Sequence, residues 1–181
     1  MDYPFLLGDR LYLRPLDVED MERCLRWIND PEISRNLGHR FPVGRAGERA
    51  WLEGHYKDQR EVPLAIVLKD GDRHIGNCGL HEIDLANRKA VFGLLIGERD
   101  AWGHGYGPEA ARLLLGYGFA DLGLHRVSLQ VFAFNEPAQR VYEKVGFVRE
   151  GCFRDAYYRG GAFHDAIIMA LLDEEWEELP R

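Results

Sequence analysis

Cysteine is scarce in this sequence, and it forms no motif of a metal or redox site. Cys24, Cys78 and Cys152 are odd in number, lie far apart and form no CxxC pair, which argues against a disulfide framework and a zinc knuckle. The seven histidines form no HExxH motif, so we expect no bound metal. These absences favour a reducing compartment.

Long hydrophobic runs and a targeting segment are also missing. The longest apolar run, AIIMALL at 166–172, is too short to span a bilayer, and the N-terminal MDYPFLLGDR lacks the basic n-region of a signal peptide. The net charge is −7, of which DEEWEELPR (173–181) supplies −4. The body is thus weakly acidic, without the basic surface that nucleic acid requires. We expect a cytoplasmic protein that binds neither membranes nor nucleic acid.

Length and pattern predict one domain, residues 1–181, of the α/β (α+β) class. In the first half, a helix is expected after Asp17 and another around Trp51, with strands at 11–16, 62–68, 73–83 and 90–97. In the second half, helices at 108–121 and 136–145 alternate with strands at 125–132, 147–153 and 163–172. We therefore predict a mixed, mostly antiparallel sheet of six to seven strands flanked by helices.

The stretch AWGHGYGPEA (101–110) joins the last of the early strands to a helix. Gly103, Gly105 and Gly107 leave the backbone bare just before Pro108, which suits a first helical turn because its missing N–H would have no partner there. A ligand can approach such a backbone closely, and the start of a helix favours an anion. The stretch indicates either a phosphate or pyrophosphate site or a flexible, glycine-rich helix entry.

Two common phosphate-binding motifs fit this stretch poorly. GYGPEA matches G-x-G-x-x-A, but it follows three meander strands instead of opening an early βαβ unit. The acid that ends the next strand, Glu136, also comes later than the ribose-binding acid of a dinucleotide fold. No GK[ST] sequence follows, which excludes a P-loop.

A second stretch, NEPAQRVYEKVGF (135–147), begins a later helix. Asn135 is a good N-cap for this helix, and Gly146 is a good stop signal. Tyr142 follows Asn135 by seven residues, close to two helical turns, so both side chains can face the same way. Structural roles alone would also explain these residues, since a helical tyrosine often packs in a core with its hydroxyl at the rim.

Together the two stretches resemble the GNAT superfamily of acetyl-CoA-dependent N-acetyltransferases. WGHGYG matches its Q/R-x-x-G-x-G/A loop, except that Trp102 stands at the Gln/Arg position. NEPAQRVYEKVGF matches its N-x-x-A/S-x-x-x-Y-x-K-x-G-F motif throughout. The opening LRPLDVEDMERCLRWINDPEISRNL is similar to the branch that holds Rim-type ribosomal-protein N-terminal, spermidine and some antibiotic acetyltransferases. The resemblance covers almost the whole chain and is weakest at 38–60.

The resemblance implies a GNAT-like fold and acetyl-CoA as the acetyl donor. The pyrophosphate would lie on the loop formed by Trp102, Gly103, His104, Gly105, Tyr106, Gly107 and Pro108. The pantetheine arm would run beside the preceding strand at Leu95, Ile96 and Gly97, where an exposed N–H would stabilise the oxyanion. Asn135 would touch this arm, and Tyr142 would protonate the departing thiolate.

The attacking amine must be neutral, and the sequence offers several candidate bases. Glu98 follows the cofactor strand and Glu82 ends the neighbouring strand. Either could accept the proton directly or through water, or be an ordinary strand-end acid. His81 and Asp84 are further options.

The acceptor amine stays open at this level. Residues 17–60 and the hairpin around YYRGGAF (157–163) should form the walls of the acceptor site. The mixed charges of residues 17–60 do not describe the acidic cleft of a polyamine enzyme, which favours a peptide or protein N-terminal α-amine. A polyamine, an amino sugar or an amino acid is the alternative. A non-catalytic acyl-CoA-binding or sensing domain would keep the glycine loop but would not need Tyr142. We expect a monomer or a homodimer.

Overall fold

The computed structural model describes residues 3–55 and 60–179. In it the protein consists of one mixed β-sheet with helices on both faces. The strand order is β1-β2-β3-β4-β5-β6-β8-β7. The strands are β1 (Leu6–Leu7), β2 (Leu11–Pro15), β3 (Val62–Leu68), β4 (Arg73–Asp84), β5 (Lys89–Ile96), β6 (Arg126–Phe132), β7 (Val148–Arg159) and β8 (Ala162–Leu172). Every neighbouring pair is antiparallel except β5 and β6, which run parallel.

Helices pack on both faces because successive strand residues point to opposite sides. The helices are α1 (Met21–Asn29), α2 (Pro31–Ser34), α3 (Arg45–His55), α4 (Tyr106–Ala120), α5 (Glu136–Lys144) and α6 (Asp173–Glu177). On one face, α4 buries Leu114 in the larger core with Leu11 and Leu13 of β2. On the other face, Tyr12 belongs to a smaller core with Cys24 of α1.

The sheet divides between β5 and β6. Among the described residues, these strands pair only where Lys89–Val91 lies beside Arg126–Ser128. Beyond that point β5 stays paired with β4 as far as Ile96, and β6 stays paired with β8 as far as Phe132. Because the two strands are parallel, both end on the same side of the sheet. The chain segments that follow them therefore meet at the open end of this split.

The sequence predicted this architecture apart from the strand count. The mixed, mostly antiparallel sheet is confirmed, but it has eight strands instead of six to seven. The additional strand, Leu6–Leu7, is too short to show a period. Helix α4 begins at Tyr106, before the predicted start at 108; Pro108 still fits, since first-turn N–H groups have no helical acceptor. The four-residue helix α2 was not predicted, and β7 extends to Arg159 instead of ending at 153.

A buried polar cluster joins the start of α1 to the sheet. Asp20 is 4% exposed, and the Arg14 guanidinium donates two hydrogen bonds of 2.7 Å to its carboxylate. His74 Nδ1 lies 3.1 Å from Asp20 Oδ1, and His74 Nε2 lies 2.9 Å from Gly76 O. Burial alone would raise the pKa of Asp20, but the hydrogen bonds from Arg14 and His74 outweigh it and hold that pKa well below its usual range. Charge-assisted bonds therefore fix α1 against β2 and β4.

The described ranges hold neither a spanning helix nor a metal-type cluster. Within residues 3–55 and 60–179, no helix is long and apolar enough to cross a bilayer. In the same part of the chain, no three His, Cys, Asp or Glu side chains converge as a metal site would require. The last residues of the acidic tail, 180–181, lie outside the described residues together with 1–2 and 56–59.

Candidate active site

A cleft of about 570 Å³ opens where β5 and β6 separate. Leu94, Leu95 and Ile96 of β5 line one wall, and Gln130, Val131 and Phe132 of β6 line the other. The loop before α4 and the inner side of α5 border one mouth of the cleft. Ile33, residues 36–38 and Tyr157 border the other mouth. The cleft thus passes between two strands and connects two distinct surfaces.

The β5 wall presents backbone groups with hydrogen-bonding capacity. Gly97 N donates to Ile75 O of β4 at 2.9 Å. Because backbone groups alternate in direction along a strand, those of Leu94 and Ile96 point away from β4, into the cleft. Trp102 Nε1 donates to Ile96 O at 2.8 Å and covers part of this edge. The remaining groups offer an extended, amide-containing ligand the bonds of an added strand.

The three glycines of the loop have different structural roles. Gly103 and Gly105 have φ of +77° and +81°, the left-handed region that favours glycine. Gly107 is buried, and a β-carbon there would lie 3.4 Å from Leu94 Cδ2, so its absence lets α4 pack closely on β5. Helix α4 begins directly after Gly105, so its first N–H groups and its positive dipole end face the mouth of the cleft. Such a helix start favours a phosphate group.

Basic side chains surround this mouth although the protein as a whole is acidic. Arg10 Nη1 donates to His104 O at 2.9 Å, and the Arg10 guanidinium lies 4.8 Å above the Tyr106 ring. Arg140 and Lys144 line the cleft from α5. Sequence reasoning missed Arg10 because it precedes the loop by more than ninety residues. For Arg140 and Lys144 a signal existed, since they lie one helical turn apart within the motif at 135–147.

Tyr142 and Asn135 both line the cleft from α5 and its N-terminus. Tyr142 is 7% exposed, and its ring lies edge-on to Phe92 and Phe147. Burial raises the pKa of Tyr142 to about 12, so its hydroxyl keeps its proton at neutral pH and acts as a hydrogen-bond donor. Asn135 Oδ1 accepts from Ala138 N at 3.4 Å as the helix N-cap. The two side chains therefore face one ligand site while also serving the fold.

Two of the predicted cofactor residues lie outside the cleft lining. Gly97 is buried beneath Trp27, and a β-carbon there would lie only 2.1 Å from the indole ring. Gly97 thus allows α1 to pack on the end of β5. His104 is exposed and contributes its carbonyl to Arg10, not its ring to the cleft. The other predicted loop and strand residues border the cleft.

The two predicted glutamate bases also lie outside the cleft lining. Glu98 accepts hydrogen bonds from Trp27 Nε1 at 3.1 Å and from Arg26, and it forms an ion pair with Arg73 at 3.4 Å. Its position therefore indicates a link between α1, β4 and the end of β5. Glu82 is at the wrong end of β4: Gly76, not Glu82, pairs with Ile96. Glu82 lies where the pairing of β4 and β5 is interrupted, between His81 and Asp84, with φ of +49°. Its position therefore does not support the expectation that it acts as the base.

The mouth opposite the glycine loop is lined by polar and apolar groups, with the cation of Arg159 beside them. Asn36, Leu37 and Gly38 lie on one side, and the Tyr157 hydroxyl donates to Gln130 Oε1 at 3.4 Å on the other. Arg159 Nη2 donates to the carbonyls of Leu37 and Gly38, each at 3.3 Å, and so ties the two sides together. Among the described residues, no Asp, Glu or His side chain lines the cleft. Sequence reasoning located these walls only as residues 17–60 and the hairpin at 157–163.

The chain is similar to known acetyltransferases in both sequence and fold. Residues 10–148 match the acetyltransferase (GNAT) domain. A spermidine N-acetyltransferase from Vibrio cholerae, solved in complex with CoA and spermine, is 25% identical and superposes with a TM-score of 0.88, covering 93% of this chain and 99% of that one. The fold is therefore that of a single GNAT-like α/β domain.

The names of two relatives indicate different acceptors. The Bacillus subtilis protein "Putative ribosomal N-acetyltransferase YdaF" is 39% identical over 179 residues, 94% of this chain and 96% of its own length. The spermidine N(1)-acetyltransferase of Escherichia coli K12 is 31% identical over 165 residues, 91% of this chain and 87% of its own length. The relatives thus share N-acetyl transfer in their names and differ in the acceptor.

Proposed function

The chain belongs to the GNAT family of acetyl-CoA-dependent N-acetyltransferases, and we propose that its acceptor is the α-amine of a peptide or protein N-terminus. The observation that carries this proposal is that no carboxylate is among the described residues lining the acceptor mouth, which are Asn36, Leu37, Gly38, Gln130 and Tyr157, with Arg159 beside them. The reaction moves an acetyl group from the thioester sulfur to the amine nitrogen.

The cleft suits acetyl-CoA at both of its ligand-binding features. The amides at the start of α4 match a pyrophosphate in hydrogen bonding, and Lys144 adds a cation to the lining. Arg10 and Arg140 also lie at this mouth, each in an ion pair, with Glu109 and Glu136. The inward-facing backbone groups of Leu94 and Ile96 match the two amides of a pantetheine arm. These two features lie at one mouth and along the adjoining wall, an arrangement that suits one extended ligand.

Direct transfer from thioester to amine agrees with the state of the thiols. Burial raises the pKa of Cys24 to about 11, and burial raises the pKa of Cys78 further. Burial and the neighbouring Asp165 also raise the pKa of Cys152. None of the three lines the cleft, so no cysteine is placed to form an acyl-enzyme. The amine would attack the carbonyl carbon, and an N–H of β5 would stabilise the oxyanion.

The charge of the cleft favours a peptide amine over a polyamine. A polyamine carries several ammonium groups, which need carboxylate partners when they leave water. Among the described residues, the cleft is lined by two cations, Arg140 and Lys144, and by no acid. A peptide N-terminus instead brings one amine of pKa about 8 and backbone amides, which Asn36 and Gln130 can bond. Acetylation of an amino sugar or amino acid is the alternative acceptor class.

Acetylation of peptides beginning with different residues should exceed acetylation of spermidine and of aminoglycosides by about tenfold or more in kcat/KM. Release of free CoA thiol measures each reaction, and mass spectrometry of the peptide locates the acetyl group on the α-nitrogen. Spermidine turnover with no activity on any peptide would overturn the peptide assignment. Tight acetyl-CoA binding with no thiol release on any amine would instead support the non-catalytic domain.

Replacing Gly105 by valine should weaken acetyl-CoA binding about tenfold or more, about 1.4 kcal/mol. Gly105 has φ of +81°, and a β-carbon there would lie 3.4 Å from Arg10 Nη2, so a branched side chain both strains the loop and obstructs it. Calorimetry measures the Kd. Gly123→Val is the matched control, because Gly123 has φ of +63° with no described atom within 4 Å. Equal Kd values for the two variants would show that the pyrophosphate lies elsewhere.

A further inference from the structure

His81 lies over two glycines that face each other on β4 and β5. Gly79 and Gly93 are paired residues, and β-carbons at these positions would lie 3.0 Å and 3.2 Å from His81 Nε2. The imidazole therefore occupies space that two side chains would otherwise fill. The His81 side chain is 34% exposed, so its ring lies in an open groove on the sheet and not in a core.

The other ring nitrogen of His81 faces an acid. Glu61 Oε2 lies 3.8 Å from His81 Nδ1, and the Glu61 side chain is 30% exposed. This distance is too long for a direct hydrogen bond but is bridged by a small movement or by one water. A carboxylate on the Nδ1 side favours the tautomer with its proton on Nδ1, which leaves Nε2 free to accept one.

The groove leads along β5 to the cleft. Gly93 and Leu95 point to the same face of the strand, and Leu95 lines the cleft. Two strand residues span about 7 Å, a distance that a chain of two water molecules bridges between Nε2 and an amine above Leu95. The missing side chains of Gly79 and Gly93 keep this path open. None of His81, Glu98 and Glu82 lines the cleft. The His81 ring lies over Gly93, two residues from Leu95, whereas Glu98 is bound to Trp27.

We propose that His81 accepts the proton of the attacking amine through a chain of two water molecules. The acceptor ammonium loses a proton through these waters to His81 Nε2, and the neutral amine nitrogen then attacks the thioester carbonyl carbon. The C–S bond breaks, and the second proton of the nitrogen passes by way of Tyr142 to the thiolate. Protonated His81 returns its proton to solvent. The proposal rests on amine acetylation, but not on the class of amine.

Replacing His81 by glutamine should lower kcat/KM at pH 7 about tenfold or more. For an α-amine the defect should shrink to about twofold at pH 9, where most of the amine is already neutral. The assay follows CoA thiol release against pH on the amine that the wild type acetylates fastest. Glu61 forms an ion-pair contact with His81, so Glu61→Gln should give a smaller defect of the same pH dependence. A purely structural role would lower Tm and reduce activity equally at every pH.

Two variants make the test specific. Gly93→Ala retains His81 but displaces its ring, so it should reproduce the defect of His81→Gln while acetyl-CoA still binds. His125→Gln removes an imidazole that contacts Asp173 outside the cleft and should leave the pH profile unchanged. Wild-type kcat/KM at pH 7 in folded His81→Gln would overturn the role of His81. If the wild type acetylates only spermidine, the peptide assignment is overturned but the role of His81 is not, because the His81 variants can then be tested with spermidine as the acceptor.

Discussion

Replacing Tyr142 by phenylalanine should lower kcat about 100-fold and leave the Kd of acetyl-CoA nearly unchanged. The ring would still pack against Phe92 and Phe147, but the donor to the departing thiolate would be lost. Because burial raises the pKa of Tyr142 to about 12, the hydroxyl holds its proton throughout the working range. The defect should therefore not vary between about pH 6 and pH 9, unlike the defect of His81→Gln. Steady-state thiol release measures kcat.

The stability of this variant separates catalysis from packing. Among the described residues the Tyr142 hydroxyl has no hydrogen-bond partner although the residue is only 7% exposed, so its removal should leave Tm unchanged or raise it. Tyr117→Phe is the matched control, because Tyr117 lies on α4, packs edge-on to Phe5 and does not line the cleft. Full turnover in Tyr142→Phe would assign proton donation to water and leave Tyr142 a packing residue.

Replacing Asp20 by asparagine should lower the free energy of unfolding by about 3 kcal/mol. The amide keeps the size of the side chain but removes the charge that Arg14 and His74 face in a buried site, where the Arg14 and Asp20 side chains are 15% and 5% exposed. Urea unfolding followed by circular dichroism measures the loss. The exposed Asp121→Asn is the control and should change stability by less than about 0.5 kcal/mol. An equal, small effect of both variants would contradict a structural role for the cluster.

The same cluster gives stability a defined pH dependence. The folded-state pKa of Asp20 is lowered, so its contribution is complete above the unfolded-state pKa of about 3.9 and is lost as the pH falls below that value. The wild type should therefore lose more stability on acidification than Asp20→Asn does. Parallel loss in both proteins between about pH 5 and pH 3 would show that other carboxylates control acid unfolding.

The features that the sequence predicted well are local in the chain. The glycines at 103, 105 and 107, the N-cap Asn135 and the spacing to Tyr142 act within one or two turns of backbone, so their patterns are readable without a fold. The alternation of β2, with Leu11 and Leu13 on one face and Tyr12 on the other, is local in the same sense. These signals sufficed for the fold class and for the residues along α5 that border the cleft.

The features that the sequence did not predict depend on which distant segments meet. Glu82 was a candidate base because it ends the strand beside the cofactor strand, but antiparallel pairing places Gly76 beside Ile96. The contact of Arg10 with His104 is likewise a product of the assembled sheet. Asn36 lies in a short segment without periodicity, so only its position at the mouth of the cleft identifies it. Strand register and long-range packing determine such contacts, and neither can be inferred from a single sequence.

The split between β5 and β6 also bears on how the protein avoids aggregation. A strand edge with free backbone groups on the outside of a sheet recruits strands of other molecules. Here the free edges of β5 and β6 face each other inside the sheet, and the loop before α4 borders them at one mouth while Ile33 and residues 36–38 border them at the other. Arg159 further ties that second mouth to the β7–β8 hairpin. A narrow, extended ligand fits between these borders, but a strand of a second sheet does not. The protein thus keeps unpaired backbone groups on β5 and β6 for a ligand without exposing them to aggregation.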